Sequence, residues 1–162
     1  MLTAMCMEAA NRIIEKTNEH NENQDFLNRI FMTCKRLQKL LYFSDVEYMK
    51  RQSGKSMFRD EFQAWESGPV IPSIYHQFMH FQAGEMEPMR KGKHEELTKD
   101  MEDVIDYVLT RTYDMDTSEL IKLSHDEDGP WAKVYNKHVS EHTEIISKQE
   151  MYDFYRSRDI FA

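Results

Sequence analysis

The segment between Thr33 and Gln52 constrains the fold more than any other part of the chain. Leucine and tyrosine recur along it at helical spacing, and further apolar side chains occupy the remaining faces. A helix that is apolar almost all round is enclosed by other elements, so the pattern predicts a central, buried helix. Thr33 can cap its start, and Ser53-Gly54 can end it. The repeated apolar positions are Leu37, Leu40, Leu41 and Tyr48.

Most of the remaining chain also carries helical periodicity. The chain has five glycines and four prolines, and all-β folds need many more turns. One short strand is expected near residues 61–66, with a partner near 86–90, and a polar loop at 18–25. The sequence therefore predicts a mainly α, compact helical bundle around the central helix, with a short β-hairpin. The further predicted helices are 3–17, 72–82, 98–113, 116–125, 131–138 and 147–158.

Length and composition favour one domain over residues 1–162. Residues 1–32 would form an N-terminal helix and a polar loop in front of the main body. No apolar run reaches the roughly 20 residues that span a bilayer, and the N-terminus does not resemble a signal peptide. Two cysteines, Cys6 and Cys34, make no disulfide framework, so a cytoplasmic protein is expected. The net charge of −8 argues against broad contact with nucleic acid.

The sequence gives little support for an enzyme or a metal site. Gly54-Lys55-Ser56 resembles the end of a phosphate-binding loop, but Met49 stands where that loop needs a glycine. His76 and His80 lie one helical turn apart, as do His138 and His142, and neither pair has a third ligand at convincing spacing. Cys34 is expected to be a core thiol. We therefore expect a protein that is not an enzyme and holds no metal or cofactor.

Three ordered motifs carry a resemblance to a known family. They are Leu37–Phe43 (LQKLLYF), Phe62–Phe78 (FQAWESGPVIPSIYHQF) and Leu123–Trp131 (LSHDEDGPW). Together they resemble the SocA-like antitoxin family, also called the Panacea domain, over about residues 33–155. Arg36 stands where the family usually has lysine. The Trp65 and Gly68-Pro69 core of the pattern is intact.

The resemblance implies an antitoxin of a toxin–antitoxin system, of a kind found in bacteria and their phages and prophages. Such a protein would neutralise a toxin encoded by an adjacent gene through direct protein binding. In the structural interpretation of these motifs, Trp65 and Trp131 are core or near-core anchors and Gly68-Pro69 fixes a turn between a strand and a helix. His125 is expected to hydrogen-bond the following turn and so to position Pro130 and Trp131. The rival interpretation places the motif residues on one face, where they shape a groove for the toxin. These candidate partner-binding or motif residues are Tyr42, Trp65, Gly68, Pro69, Tyr75, His125, Pro130 and Trp131.

Three other functions stay open at this point. The chain could be an adaptor that hands a bound client to a protease. It could regulate transcription or act as a phage accessory protein. It could also be a metal-dependent hydrolase that uses His76 and His80. The sequence identifies neither the toxin nor the oligomeric state.

Overall fold

A computed structural model describes residues 4–89, 95–135, 138–139 and 141–162. Helices dominate, and a small sheet packs among them, as the sequence predicts. A single-turn 3-10 helix, Phe26–Asn28, lies between the first two α-helices. In chain order the elements are α1 (Ala4–Glu22), α2 (Cys34–Arg51), β1 (Phe62–Trp65), β2 (Gly68–Val70), α3 (Pro72–Phe78), α4 (Lys99–Thr112), α5 (Thr117–Ser124), α6 (Pro130–Val134), β3 (Ile145–Ile146) and α7 (Lys148–Tyr155).

Helix α2 is the centre of the molecule. Every residue from Arg36 to Met49 is buried, including those with charged side chains. Helices α1, α3, α4, α5 and α7 pack around it, together with strand β2. The prediction of a central helix that is enclosed on all sides is confirmed. Because charged groups are costly to bury without partners, each of these side chains needs a specific contact inside the fold.

The predicted helix starts agree with the structure where a side-chain cap defines them. The hydroxyl of Thr33 accepts a hydrogen bond from the backbone N–H of Arg36, and Thr98 caps α4 in the same way. Asp116 and Glu119 form a full capping box at the start of α5. Ser147 caps α7. Helix ends are less well predicted. Helices α3, α6 and α7 each end about one turn before the predicted ends at residues 82, 138 and 158.

The sheet differs from the prediction in its pairing. Strand β1 lies at the predicted place, but its partners are β2 and β3, both antiparallel, in the order β2-β1-β3. The prediction of a partner at residues 86–90 is wrong over the described residues 86–89, and Arg90 lies outside the described part of the chain. Gly68 and Pro69 do not form the turn between a strand and a helix. They belong to β2, which a tight turn at residues 66–67 joins to β1.

The N-terminal region also differs from the prediction. Residues 18–25 were expected to form a polar loop, yet α1 continues to Glu22. The polar side chains there make contacts with the body of the protein, which stabilise the extra helical turn. The side-chain amide of Asn18 donates to the carbonyl of Met86, and that of Asn21 donates to the carbonyl of Ile30. The predicted start at Thr3 lies outside the described residues.

Candidate functional site

The three family-like motifs meet at one place, which we call the motif junction: Gln38 and Lys39 of α2, Trp65, Gly68 to Ile71, Ser124, His125 and Trp131. Gln38 makes two hydrogen bonds with one backbone unit of Ile71, accepting from its N–H at 2.7 Å and donating to its carbonyl at 3.2 Å. Lys39 donates to the carbonyl of Pro69 at 2.9 Å. The central helix therefore fixes the path of β2 and the entry to α3 through side-chain bonds.

Gly68 allows the chain to pass close to α2 and α5. Its φ of +109° is in the region that side chains rarely adopt. A Cβ at this position would lie 2.6 Å from the hydroxyl oxygen of Ser124 and 2.7 Å from Cε of Lys39. Both the backbone conformation and the space therefore require glycine here.

The third motif is attached to the sheet through Trp131. Its indole N–H donates to the carbonyl of Trp65 at 2.7 Å. The ring of His125 lies flat on the Trp131 indole, with centroids 3.7 Å apart and an interplanar angle of 6°. Tyr135 also stacks on the Trp131 indole, with centroids 4.5 Å apart. His125 thus positions Trp131 by ring stacking, whereas the sequence suggested a hydrogen bond to the following turn.

Burial changes the protonation of the two basic groups at the junction. Desolvation, together with nearby Lys35, lowers the pKa of Lys39 to about 7. Burial also lowers the pKa of His125, and Lys39 adds to the effect. The Nε2 atom of His125 is buried and has no hydrogen-bond partner among the described residues. A neutral lysine amine is a potential base or nucleophile, but Lys39 is 0% exposed and bonded to Pro69.

The remaining predicted residues have structural environments. The ring of Tyr42 is fully buried and packs edge-to-face against Phe62 and Tyr155. Tyr75 is half-buried and packs edge-to-face on Trp65, with centroids 5.2 Å apart. Pro130 is buried at the first position of α6. The structure thus places most of the predicted residues at the junction or next to it, and their described contacts are internal. Whether any of them touches a partner stays a prediction.

The metal and thiol alternatives find no support in the geometry. Within the described residues, no group of three His, Cys, Asp or Glu side chains could hold a metal ion. His76 and His80 are exposed and lie beside the neighbouring rings of Tyr75 and Phe81. Burial raises the pKa of the Cys34 thiol, which is the opposite of what activates a cysteine nucleophile.

Two features of the structure were not found by sequence reasoning. The first is that Arg36 and Lys39, near the start of α2, bind backbone carbonyls. Arg36 donates to the carbonyls of Thr112 and Met115 at the end of α4, where the helix dipole favours a cation. The sequence carried one signal for these bonds. Cations stand at the start of an apolar helix, where the dipole of that helix disfavours them. The second is the exposed apolar segment that follows the 18–25 stretch, which is described below.

The comparisons with known proteins agree with these motifs. The family model described as "Antitoxin SocA-like, Panacea domain" matches residues 37–132. The chain therefore belongs to the SocA-like, Panacea-domain family. It is similar to a protein named Antitoxin SocA from Caulobacter vibrioides, with 29% identity over 110 residues. The match covers 62% of this chain and spans 58% of that relative's length.

Two further searches found nothing. No solved structure matches the chain significantly. Over the described residues, the helices are all too short or too polar to cross a membrane.

Proposed function

We propose that this protein is an antitoxin that neutralises a protein toxin by binding it directly, and that it carries no catalytic activity of its own. The observation that carries the proposal is the family match over residues 37–132, which contains all three motifs that build the junction. The curated relative is named an antitoxin, and we extend that role to this chain. The toxin is proposed to be the product of an adjacent gene.

Charge supports a basic toxin as the partner. The chain carries 29 acidic and 21 basic residues, for a net charge of −8. Opposite net charges speed diffusional encounter, and the effect weakens as salt is added. An antitoxin must capture its toxin before the toxin reaches its target, so a fast association rate would be useful.

The mechanism we propose is occlusion. A specific interface buries about 800 Å² on each partner. The surface of this protein measures 9154 Å², so it can supply such an area with most of its surface left free. A toxin covered in this way would lose access to its target. No chemical step in this protein is required.

The contacts of the reactive groups support a role without catalysis. Lys39 is enclosed and hydrogen-bonded, and the pKa of Cys34 is raised by burial. Catalytic nucleophiles are normally reachable and activated by a neighbouring base or by a lowered pKa. Both side chains instead donate to backbone carbonyls inside the fold, Lys39 to that of Pro69 and Cys34 to that of Tyr75.

The test is co-expression of the protein with the product of each neighbouring gene, followed by growth assays and purification of complexes. We expect one neighbour to stop growth when it is expressed alone. Co-expression should restore growth, and the two proteins should purify together. The matched control is the same neighbour expressed with an unrelated acidic protein of similar size.

Two other results would change the account. If no neighbour stops growth, or if growth never recovers and no complex forms, the proposed function is wrong. If growth recovers because the toxin disappears instead of accumulating in a complex, the protein delivers a client to a protease. The abundance of the toxin, measured by immunoblot, separates occlusion from delivery.

A further inference from the structure

One segment of the protein displays large apolar side chains to solvent. Residues 26–31, which we call the apolar loop, connect α1 to the start of α2. Leu27 is 93% exposed, Phe26 is 67% exposed and Phe31 is 46% exposed. Scattered exposed apolar residues are ordinary, but several of them together are a feature of interaction sites. This loop precedes the range 37–132 that the family model matches.

The apolar loop is held in a defined conformation. Asn21 on α1 bonds both backbone groups of Ile30, donating to its carbonyl at 2.7 Å and accepting from its N–H at 2.8 Å. The ring of Phe31 rests on Gly84, where a Cβ would lie 2.7 Å from the ring. Phe26 packs edge-to-face on Phe31, with centroids 5.7 Å apart. These contacts hold the loop in one conformation before any partner binds. Binding would therefore not have to offset the entropy cost of ordering it.

Two grooves lie on either side of the loop and share Arg29, Ile30 and Phe31 as lining residues. One groove, of about 410 Å³, also includes Phe26 and runs to Gly84. The other, of about 560 Å³, includes Leu27 and runs to Tyr113. The loop is therefore a ridge with a cavity on each side, and a partner that binds here can place side chains in both.

The rim of the two grooves is acidic. Glu22 and Glu87 line one groove, and Asp114 and Asp116 line the other; all four are exposed. Hydrogen bonds from the backbone of residue 119 and from Ser118 lower the pKa of Asp116, so its carboxylate stays ionised. The lining also carries two arginines, exposed Arg29 and buried Arg36, so the four carboxylates leave the rim with a net negative charge. Arg29 donates to the carbonyl of Gln24, and buried Arg36 binds the end of α4.

We propose that the apolar loop and its two grooves are the surface that docks the toxin. The inference rests on the proposed antitoxin function. The occupant is a segment of the toxin that carries apolar side chains flanked by lysine or arginine. Its apolar groups pack against Phe26, Leu27 and Phe31, and its cations face the carboxylates of the rim. Apolar contact at the centre with charged pairs at the edge is the usual arrangement of a specific interface.

The mutational test uses the toxin identified by co-expression and measures its Kd for purified variants. Leu27→Glu combined with Phe26→Glu places charge on the exposed ridge. Neither side chain belongs to the core, and the double variant also loses the edge-to-face contact of Phe26 with Phe31. We expect the Kd to rise roughly 30-fold or more, as it does for central interface residues, while the melting temperature stays unchanged. The matched control is Ile145→Glu, because Ile145 is 49% exposed on the sheet beside the motif junction. This control should bind normally.

A second pair of variants tests the acidic rim. Glu22→Lys with Glu87→Lys should slow association and reduce its dependence on salt, since rim charges act mainly on the association rate. Glu127→Lys with Asp128→Lys makes the same charge change in the exposed turn after α5 and serves as the control. If only the net charge of the protein matters, both pairs of variants should slow association equally. If the toxin docks at the loop, the Glu22 and Glu87 pair should slow association more than the control pair.

The outcomes separate the two proposals. If the wild-type protein binds and neutralises the toxin but the Leu27 and Phe26 variant binds equally well, the docking surface is wrong and the antitoxin function stands. If Ile145→Glu is the variant that loses binding, the toxin docks at the sheet instead, which also overturns the inference. If the wild-type protein binds no toxin, both proposals fall together.

Discussion

The motif junction and the apolar loop differ in almost every physical respect. At the junction, Lys39 and Gly68 are enclosed, and their contacts leave no room for other side chains. On the loop, Phe26 and Leu27 face solvent, and their replacement would leave the core unchanged. The junction lies within the range that identifies the family, and the loop lies before it. The comparison indicates that the family motifs encode the scaffold and that specificity for a partner can be carried elsewhere.

The largest effect should follow from Gly68→Ala. The substitution adds a Cβ 2.6 Å from the hydroxyl of Ser124, in a backbone conformation with φ of +109°. Strain and overpacking together should lower the free energy of unfolding by about 3 kcal/mol or more. Chemical denaturation followed by circular dichroism measures this loss.

Gly54→Ala is the matched control for that change. Gly54 has a similar φ of +97°, but its Cβ would lie 3.3 Å from the ring of Tyr152. The difference between the two variants isolates the crowding at the junction. Equal losses would show that the close approach of β2 to α2 has no special importance.

The next largest effect should be a change of the free energy of unfolding with pH, caused by Lys39. The folded protein has a pKa of about 7 at this group, against 10.5 for an ordinary lysine. Between these values the unfolded chain binds a proton that the folded protein does not, so the free energy of unfolding rises with pH. The slope from this one group is at most about 1.4 kcal/mol per pH unit, and the gain is lost again as the pH falls to 7.

The measurement compares wild type with Lys39→Met across pH 6 to 10 in denaturant titrations. We expect the stability of the wild type relative to the variant to increase with pH. Lys122→Met, which removes an exposed lysine, should follow the wild-type curve. A difference between wild type and Lys39→Met that does not change with pH would mean that Lys39 stays charged when folded.

The smallest effect on stability should come from the apolar loop. Asn21→Ala removes both bonds to the backbone of Ile30. Since the site is partly exposed, we expect a loss of about 1 kcal/mol or less. The Kd for the toxin should nevertheless rise several-fold, because the loop must then be ordered during binding. Asn23→Ala in the exposed turn after α1, outside both grooves, is the control, and an unchanged Kd for Asn21→Ala would argue against preorganisation.

Local signals in the sequence predicted much of this fold, and contacts that leave no recognisable sequence pattern explain the errors. The caps at Thr33 and Asp116 were readable because a cap depends on residues three positions apart. Strand pairing was not. Ile145 and Ile146 lie some eighty residues from β1 and are too few to make a pattern, and the adjacent β2 was missed because Gly and Pro are depleted in strands. The extension of α1 was missed because Asn21 is stabilised by Ile30, a contact that composition does not show.

The candidate residues divide in the same way. Trp65, Gly68 and Trp131 were found through the family-like motifs, and the structure brings them together. The roles of Gln38 and Lys39 could not be predicted, because a polar side chain inside an apolar helix gives no indication of its partner. The apolar loop carries no motif. Its exposure depends on how α1 and α2 are joined, which becomes visible only in three dimensions.

The most direct test of the central claim is hydrogen exchange of the protein with and without its bound toxin, measured by mass spectrometry. We predict that binding slows exchange at residues 21–32 and 84–87 and leaves the strands and α6 at the motif junction unchanged. Slowed exchange at β1, β3 and α6 with no change in the apolar loop would contradict the account. Such a result would indicate that the toxin binds at the family motifs themselves.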